Sequence, residues 1–304
     1  MKDKLGWGKL YLCPTPIGNL GDITYRTVMI LNQVDRIACE DTRVSSKLLQ
    51  RYSIKKPLIS YHAHNYQTTI QKIVIHLKAG ENIALITDAG MPGIQDPGME
   101  LVNKMIQDRI DFEVLPGASA VLPAVVYSGF SSKGYVFLGF LPKTGSERRK
   151  LLEHSLFSSP AVVLYESPQR ILSTLQEIQN IVGEERKAVL CRELTKLHQE
   201  VIRGTLKDLN KALIQKKVIK GELVLVLEGL SLSENSILPL VRKCIEQLLL
   251  TGHSEKDTVE LTSSIFNLKK NRLKIEVNRQ KNPHYGEAGK IFEKVEPQDI
   301  DPEK

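Results

Sequence analysis

Ile86-Thr87-Asp88-Ala89-Gly90-Met91-Pro92-Gly93-Ile94-Gln95-Asp96-Pro97-Gly98 is the stretch on which the reading of this chain turns. It follows a short apolar run, Ile83-Ala84-Leu85-Ile86, with the character of a strand. From Thr87 onward, three glycines, two prolines and two aspartates in so short a span exclude helix and strand alike. The segment is therefore expected to be a loop at a strand end. Its glycines allow close backbone approach and its prolines stiffen the path between them, so little order is left to be lost when a ligand arrives. The alternative is a tight crossover turn with capping acids, in which Asp96 before Pro97 fits an N-cap followed by proline at the first helical position. So much glycine and proline exceeds what a crossover needs, which favours a ligand role.

Working backward, Lys9 to Cys13 reads as a first strand that stops at Pro14-Thr15-Pro16-Ile17-Gly18-Asn19, a second loop rich in proline and glycine. Asp22 or Thr24 can cap the helix that follows. Further strands are predicted at Asp35 to Cys39, Leu58 to Ser60 and Phe112 to Leu115, with helices at Ser45 to Tyr52 and Thr68 to Lys78. Such alternation predicts an α/β domain with a largely parallel sheet, whose ligands gather beyond the carboxyl ends of the strands. The polar loops fall at that edge: 14–19, 40–43, 61–65, 87–98 and 116–120.

Working forward, the alternation recurs. Strands are predicted at Tyr135 to Phe140, Ala161 to Tyr165, Ala188 to Cys191 and Glu222 to Glu228, an extended piece at Glu200 to Arg203, and helices at about 147–157, 168–182 and 206–216. Gly129 to Gly134 is the expected hinge, and a cleft beside it a natural ligand site. Beyond Leu230 only helical patterns remain, at Ile237 to Leu250 and Ser254 to Phe266, the latter opening with Ser254-x-x-Asp257. The expected organisation is an N-terminal tail (1–8), two α/β domains (9–129 and 130–233), a helical appendage (234–277) and a disordered tail (278–304).

Composition sets outer limits. The 304 residues carry a net charge of +7, which permits an anionic partner without naming one. Four widely spaced cysteines form no CxxC pair and suggest reduced thiols. No apolar stretch approaches the length of a membrane span, and Met1-Lys2-Asp3-Lys4 lacks an adjoining signal-like core, so a cytoplasmic protein is expected.

The motifs narrow the chemistry. There is no Gly-x-Gly-x-x-Gly after the first strand, no Walker lysine and no Gly-x-Ser-x-Gly elbow, which leaves dinucleotide, nucleoside-triphosphate and covalent hydrolase readings without support. Pro116-Gly117-Ala118-Ser119-Ala120 places small residues at a strand-to-helix junction, where free N–H groups can meet a polar ligand or merely allow close packing. His62 and His64 would share a face if extended, yet no third metal ligand stands at a recognisable spacing. Glu40-Asp41-Thr42-Arg43 is either a helix cap or a substrate-handling group. Glu166 and Arg170 flank the capping pair Ser167-Pro168 without an evident local role.

Taken together, T-P-I-G-N (15–19), E-D-T-R (40–43), S-Y-H-A-H-N (60–65), D-A-G-M-P-G-I-Q-D-P-G (88–98), P-G-A-S-A (116–120), G-F-L-P (139–142), Y-E-S-P-Q-R (165–170) and R-E-L-T-K (192–196) resemble one family. It is the ribosomal RNA small subunit methyltransferase I family, the 16S rRNA cytidine 2′-O-ribose methyltransferases of the tetrapyrrole methylase superfamily. The resemblance runs from about Gly8 to Leu230 and is weaker in the helical end. It implies two α/β domains with S-adenosylmethionine between them, a homodimer, and methyl transfer to the ribose of a decoding-centre cytidine in 16S rRNA of the small ribosomal subunit.

Carried over by motif, the cofactor would meet Pro14, Thr15, Pro16, Ile17, Asp88, Ala89, Gly90, Met91, Pro92, Gly93, Ile94, Ser119 and Ala120, with Tyr165, Leu194 and Leu230 from the second half. Met91 stands where the family often has threonine and Gln95 where serine is usual. Methyl transfer from a sulfonium needs no metal but does need a base for the ribose hydroxyl, and Asp41, Glu40 and His62 are the candidates, with Glu166 and Lys196 in reserve. Arg43, His64, Asn65, Arg170, Lys196, Lys269, Lys270 and Arg272 are expected to contact RNA. The rival readings are a related methylase acting on a tetrapyrrole, a corrin or a modified histidine, and a non-catalytic ribosome-assembly factor.

Overall fold

The structure is a computed structural model; it describes residues 6–130, 134–156, 158, 160–229, 234–266, 268 and 270–281, with only the backbone of 234–240, 272, 279 and 281. The chain divides into two compact units, Met1–Leu230 and Ser231–Lys304.

The first unit holds two five-stranded sheets. Strands β1 (Leu10–Leu12), β2 (Arg36–Cys39), β3 (Leu58–Ser60), β4 (Ile83–Ile86) and β5 (Phe112–Val114) lie in the order β3-β2-β4-β1-β5, all parallel. Between them run α1 (Tyr25–Gln33), α2 (Thr42–Arg51), α3 (Tyr66–Lys78) and α4 (Met99–Asp108). Both faces of this sheet are covered, as a parallel sheet requires. On one face Leu10, Leu12, Ile83 and Leu85 pack with Ile73 and Leu77 of α3 and Met105 of α4. On the other, Ile37, Cys39, Ala84 and Ile86 meet Leu31 of α1 and Leu49 of α2. Alternate residues of one strand thus serve opposite cores, which is why the strands read as continuous apolar runs.

The second sheet is mixed. Its strands β6 (Tyr135–Phe140), β7 (Ala161–Glu166), β8 (Lys187–Arg192), β9 (Glu200–Thr205) and β10 (Leu223–Leu227) take the order β6-β7-β10-β8-β9, and only β6 and β7 pair in parallel. One face is covered by α6 (Ser146–Leu156), α7 (Ile171–Val182) and α8 (Leu206–Ile214). The other face is covered from the first half of the chain: Val121, Ala124 and Val125 of α5 (Val121–Ser128) pack on Val163, Val189, Val224 and Val226. The helix that was expected to end one domain therefore completes the core of the next sheet. Part of the expected hinge, residues 131–133, lies outside the described residues.

The second unit is a group of helices, α9 (Glu234–Leu250), α10 (Glu255–Phe266) and α11 (Lys270–Lys281), around Val241, Ile245, Val259, Leu273 and Val277. Ser254 caps α10 by accepting the Asp257 backbone N–H at 3.1 Å. Helix α11 runs to Lys281, past the boundary at 277 expected from the sequence, because Val277 still faces the apolar core and Gln280 donates to the Arg242 carbonyl at 2.6 Å. The remainder of the expected tail lies outside the described residues. Among the described residues no helix is long and apolar enough to cross a membrane.

Candidate active site

The carboxyl edge of the first sheet gathers the loops that follow β1, β2, β4 and β5. Thr15 and Gly90 form an isolated antiparallel bridge, with both N–H to carbonyl bonds at 2.9 Å. The buried Thr15 hydroxyl donates to the Thr87 carbonyl at 2.9 Å. The two proline- and glycine-rich loops are thus one rigid piece. Gly90 and Gly93 each have φ of +85°, a left-handed conformation costly for other residues. Pro14 in turn packs against Gly117, where an added Cβ would lie 2.7 Å from the Pro14 Cβ.

Four carboxylates cluster around this piece, from Glu40, Asp41, Asp88 and Asp96. Asp41 caps α2, accepting the Arg43 N–H at 2.8 Å and the Arg43 guanidinium at 2.6 Å. These bonds hold its carboxyl down at about 2, which makes it a poor proton acceptor. The Asp41 backbone N–H donates to Asp88 at 3.3 Å. Desolvation, then the nearby Asp41 charge, holds Asp88 above the ordinary carboxylate range. The Thr87 hydroxyl donates to Glu40 at 3.2 Å.

Thr87 also pairs with Asp96, whose carboxyl is pushed up to about 6, chiefly by burial and further by Glu40 and Asp88. The alternative reading of this loop, with Asp96 as a helix cap, does not hold. Instead α4 begins at Met99 with Gly98 in the cap position, and Asp96 turns toward Thr87. An aspartate before proline is so common a helix opening that its local pattern gave no warning.

The remaining edge comes from the second sheet. Ile17, Ala89, Ala118, Ala120, Leu194 and Tyr165 belong to one apolar cluster. Tyr165 stacks edge-on with Phe137 at 4.9 Å between ring centres, and burial, with Asp96 nearby, pushes its hydroxyl up to about 12. Gln95, with φ of +68°, accepts the Phe140 N–H at 2.9 Å and so ties the β4 loop to β6. Gly18 fits against the turn after β8, where an added Cβ would lie 2.4 Å from Lys196 Cγ, and Asn19 N–H donates to the Thr195 hydroxyl at 3.1 Å.

Most of the residues expected around a cofactor are therefore brought together by Thr15–Gly90 pairing and by the cluster around Ile17; Leu230 lies outside the described residues. The expected RNA contacts divide. Arg43 and His64 are exposed at this edge. His62 and His64 sit in a turn rather than a strand, their rings edge-on at 5.9 Å, and Asn65 is occupied in holding that turn through the His62 N–H and the Ser60 carbonyl. Arg170 is folded inward on the buried Glu166 at 3.2 Å and the Leu141 carbonyl at 2.9 Å. Lys196 is tied to Glu193 at 2.9 Å and Glu222 at 3.1 Å. Lys270 pairs with Glu260 at 3.5 Å, while Lys269 and the side chain of Arg272 lie outside the described residues.

A parallel sheet whose crossover loops interlock at its carboxyl edge, facing a second mixed sheet, is the architecture of a methylase class. The family described as Tetrapyrrole (Corrin/Porphyrin) Methylases matches residues 9–210. Among solved structures, a cobalt precorrin-4 methyltransferase of cobalamin biosynthesis aligns with a TM-score of 0.56 at 18% identity, covering 72% of this chain and 94% of that one. A uroporphyrin-III C-methyltransferase from Thermus thermophilus aligns at 0.53 and 15%, covering 72% and 94%. Much nearer in sequence are proteins named ribosomal RNA small subunit methyltransferase I. That of Synechocystis is 41% identical over 84% of this chain and 93% of its own. That of Haemophilus influenzae is 42% identical over 88% and 95%. That of Hydrogenobaculum is 47% identical over 72% and 95%. The chain belongs to the ribosomal RNA small subunit methyltransferase I family within the tetrapyrrole methylases.

Proposed function

We propose that this protein transfers a methyl group from S-adenosylmethionine to the ribose 2′-oxygen of a decoding-centre cytidine in 16S rRNA. The observation that carries the reading is the similarity, along nearly the whole length of both chains, to proteins named for methylating small-subunit ribosomal RNA. The residues of the site suit the donor. Ile17, Ala89, Ala120 and Leu194 offer an apolar bed for a flat base, and the carboxylates beside them favour a cation. When bound, the donor supplies a methyl carbon on a positively charged sulfur. The bridged loops hold their backbone carbonyls in place without reorganisation, which favours an in-line approach.

Asp96 is the base this reading selects, in preference to Asp41. A carboxyl near 6 is mostly ionised at neutral pH yet more basic than an ordinary aspartate. It would accept the 2′-hydroxyl proton and so make that oxygen nucleophilic toward the donor's methyl carbon, the sulfur leaving with the bond pair. Arg43 and His64 are positioned to meet phosphates. The reading includes a homodimer in the cytoplasm, and apolar Val126, 79% exposed, and Leu122, 53% exposed, give α5 a face suited to a second copy.

Labelled donor incubated in parallel with small ribosomal subunits, with a corrinoid and with a protein bearing a modified histidine tests the proposal. Label recovered as 2′-O-methylcytidine supports it. Label entering a corrinoid or a modified histidine instead would assign the chain to another methylase chemistry, and RNA binding without label would leave an assembly factor.

A further inference from the structure

On the far side of the turn after β8 lies a depression of about 680 Å³ whose lining includes Arg192, His198, Lys216, Lys217, Lys220 and Gly221. Beside Glu193, Val218 and Ile219, its lining carries the cations of Arg192, Lys216, Lys217 and Lys220. Their pairing is incomplete. Glu200 meets both Arg192, at 2.9 Å, and Lys216, at 2.7 Å. Glu193 is engaged by Lys196 at 2.9 Å and by the Glu222 backbone N–H at 2.9 Å. Lys217 and Lys220 are exposed and have no ion-pair partner among the described residues. The unneutralised charge is thus spread along a surface segment, which suits a chain of phosphates passing over it better than one enclosed anion.

The depression also adjoins the candidate site. Glu193 and Thr195 hold left-handed conformations, with φ of +51° and +66°, and the turn they shape has two sides. On one, Glu193 packs against Gly221 of the depression; on the other, Leu194 and Thr195 pack against the loop of Gly18 and Asn19. A strand of RNA whose target sugar occupies the site has this surface as a neighbour.

The geometry points to the Lys216–Lys220 segment with Arg192 as a docking surface for the phosphate backbone of the substrate RNA, flanking the methyl-transfer site. The inference rests on the ribosomal RNA reading above. Its test is the full-length protein carrying Lys217→Gln with Lys220→Gln, compared with Lys72→Gln with Lys187→Gln, which removes equal charge from exposed positions elsewhere in the unit. Full-length small-subunit rRNA is the probe, titrated at several salt concentrations. Affinity should fall several-fold at about 0.1 M salt and the slope of log K against log[salt] should shrink by about 1.4, since each single-strand phosphate contact contributes about 0.7. S-adenosylmethionine binding, read by calorimetry, should not change. Unchanged RNA affinity and slope, or an equal loss in the comparison variant, would overturn the docking surface while leaving the methyltransferase reading intact. A wild-type protein that binds and methylates no ribosomal RNA would overturn both.

Discussion

Thr15 and Gly90 exchange both backbone hydrogen bonds at 2.9 Å, so two loops far apart in sequence move as one body. An alanine at position 90 would find space, since its Cβ would lie no nearer than 3.6 Å to Ile17 Cγ2, but it would inherit φ of +85°. Gly90→Ala is expected to cost about 1–2 kcal/mol through backbone strain alone, measurable by urea unfolding, and to weaken S-adenosylmethionine binding in calorimetry. Full stability with full affinity would show that the bridge does not shape the site.

Asp96 links the site to pH. Its carboxyl is raised in the folded protein, to about 6, so the native state holds its proton more firmly than the unfolded chain does. The stabilisation is therefore complete below the unfolded value and is lost as pH rises through about 6. Asp96→Asn should flatten that fall in a series of melting curves. Methyl transfer, if Asp96 accepts the ribose proton, should rise with pH around the same value and drop by roughly 10²–10⁴-fold in the asparagine variant at every pH.

Gln95 separates a latch from a strain. Gln95→Ala removes the bond to Phe140 N–H and keeps φ of +68°, so it should lower stability by about 0.5–1.5 kcal/mol. Gln95→Gly loses the same bond but relaxes the backbone and should be nearly neutral. Equal loss of donor affinity in both variants would identify the latch as what matters for binding.

Glu166 anchors the second sheet rather than the reaction. Its side chain is fully buried and accepts from the Ser167 N–H at 2.8 Å and the Thr174 hydroxyl at 2.7 Å, beside Arg170. Thr174 in turn accepts from the buried Arg148 at 2.9 Å. Glu166→Ala leaves these donors unmatched and should cost about 3 kcal/mol in chemical denaturation. Loss of methyl transfer without loss of stability would instead place Glu166 in the chemistry.

Much of this architecture could be read before folding was known. Strands β3, β4 and β6 fall at the bounds their apolar runs suggest, and Thr24 caps α1 as its position before the helix implies. What the sequence concealed was set by tertiary contact. Strand direction in the second sheet is one case: residues 193–199 join β8 to β9 without a helix, which leaves room only for antiparallel return, but the neighbouring helices suggested continued alternation. The cations were another. Arg170 and Lys196 look like surface charges in a one-dimensional pattern; Arg170 instead pairs with Glu166, four residues before it, and Lys196 gains Glu222 only in the folded chain. Asp96 was hidden likewise, because α4 starts only at Met99 and the hydroxyl that meets its carboxyl, that of Thr87, comes from the other end of the same loop.

The cysteines give the molecule a reporter of its own opening. Cys13, Cys39 and Cys191 are buried at or just beyond strand ends, and burial pushes their thiols up, Cys13 to about 12 and Cys191 to about 11. A maleimide or nitrobenzoate reagent at neutral pH consumes thiolate, so these three stay silent while the sheets are closed. Cys244, half-buried on α9, is the position such a reagent reaches first. The later appearance of the other three would time the breathing of each sheet, with no residue altered.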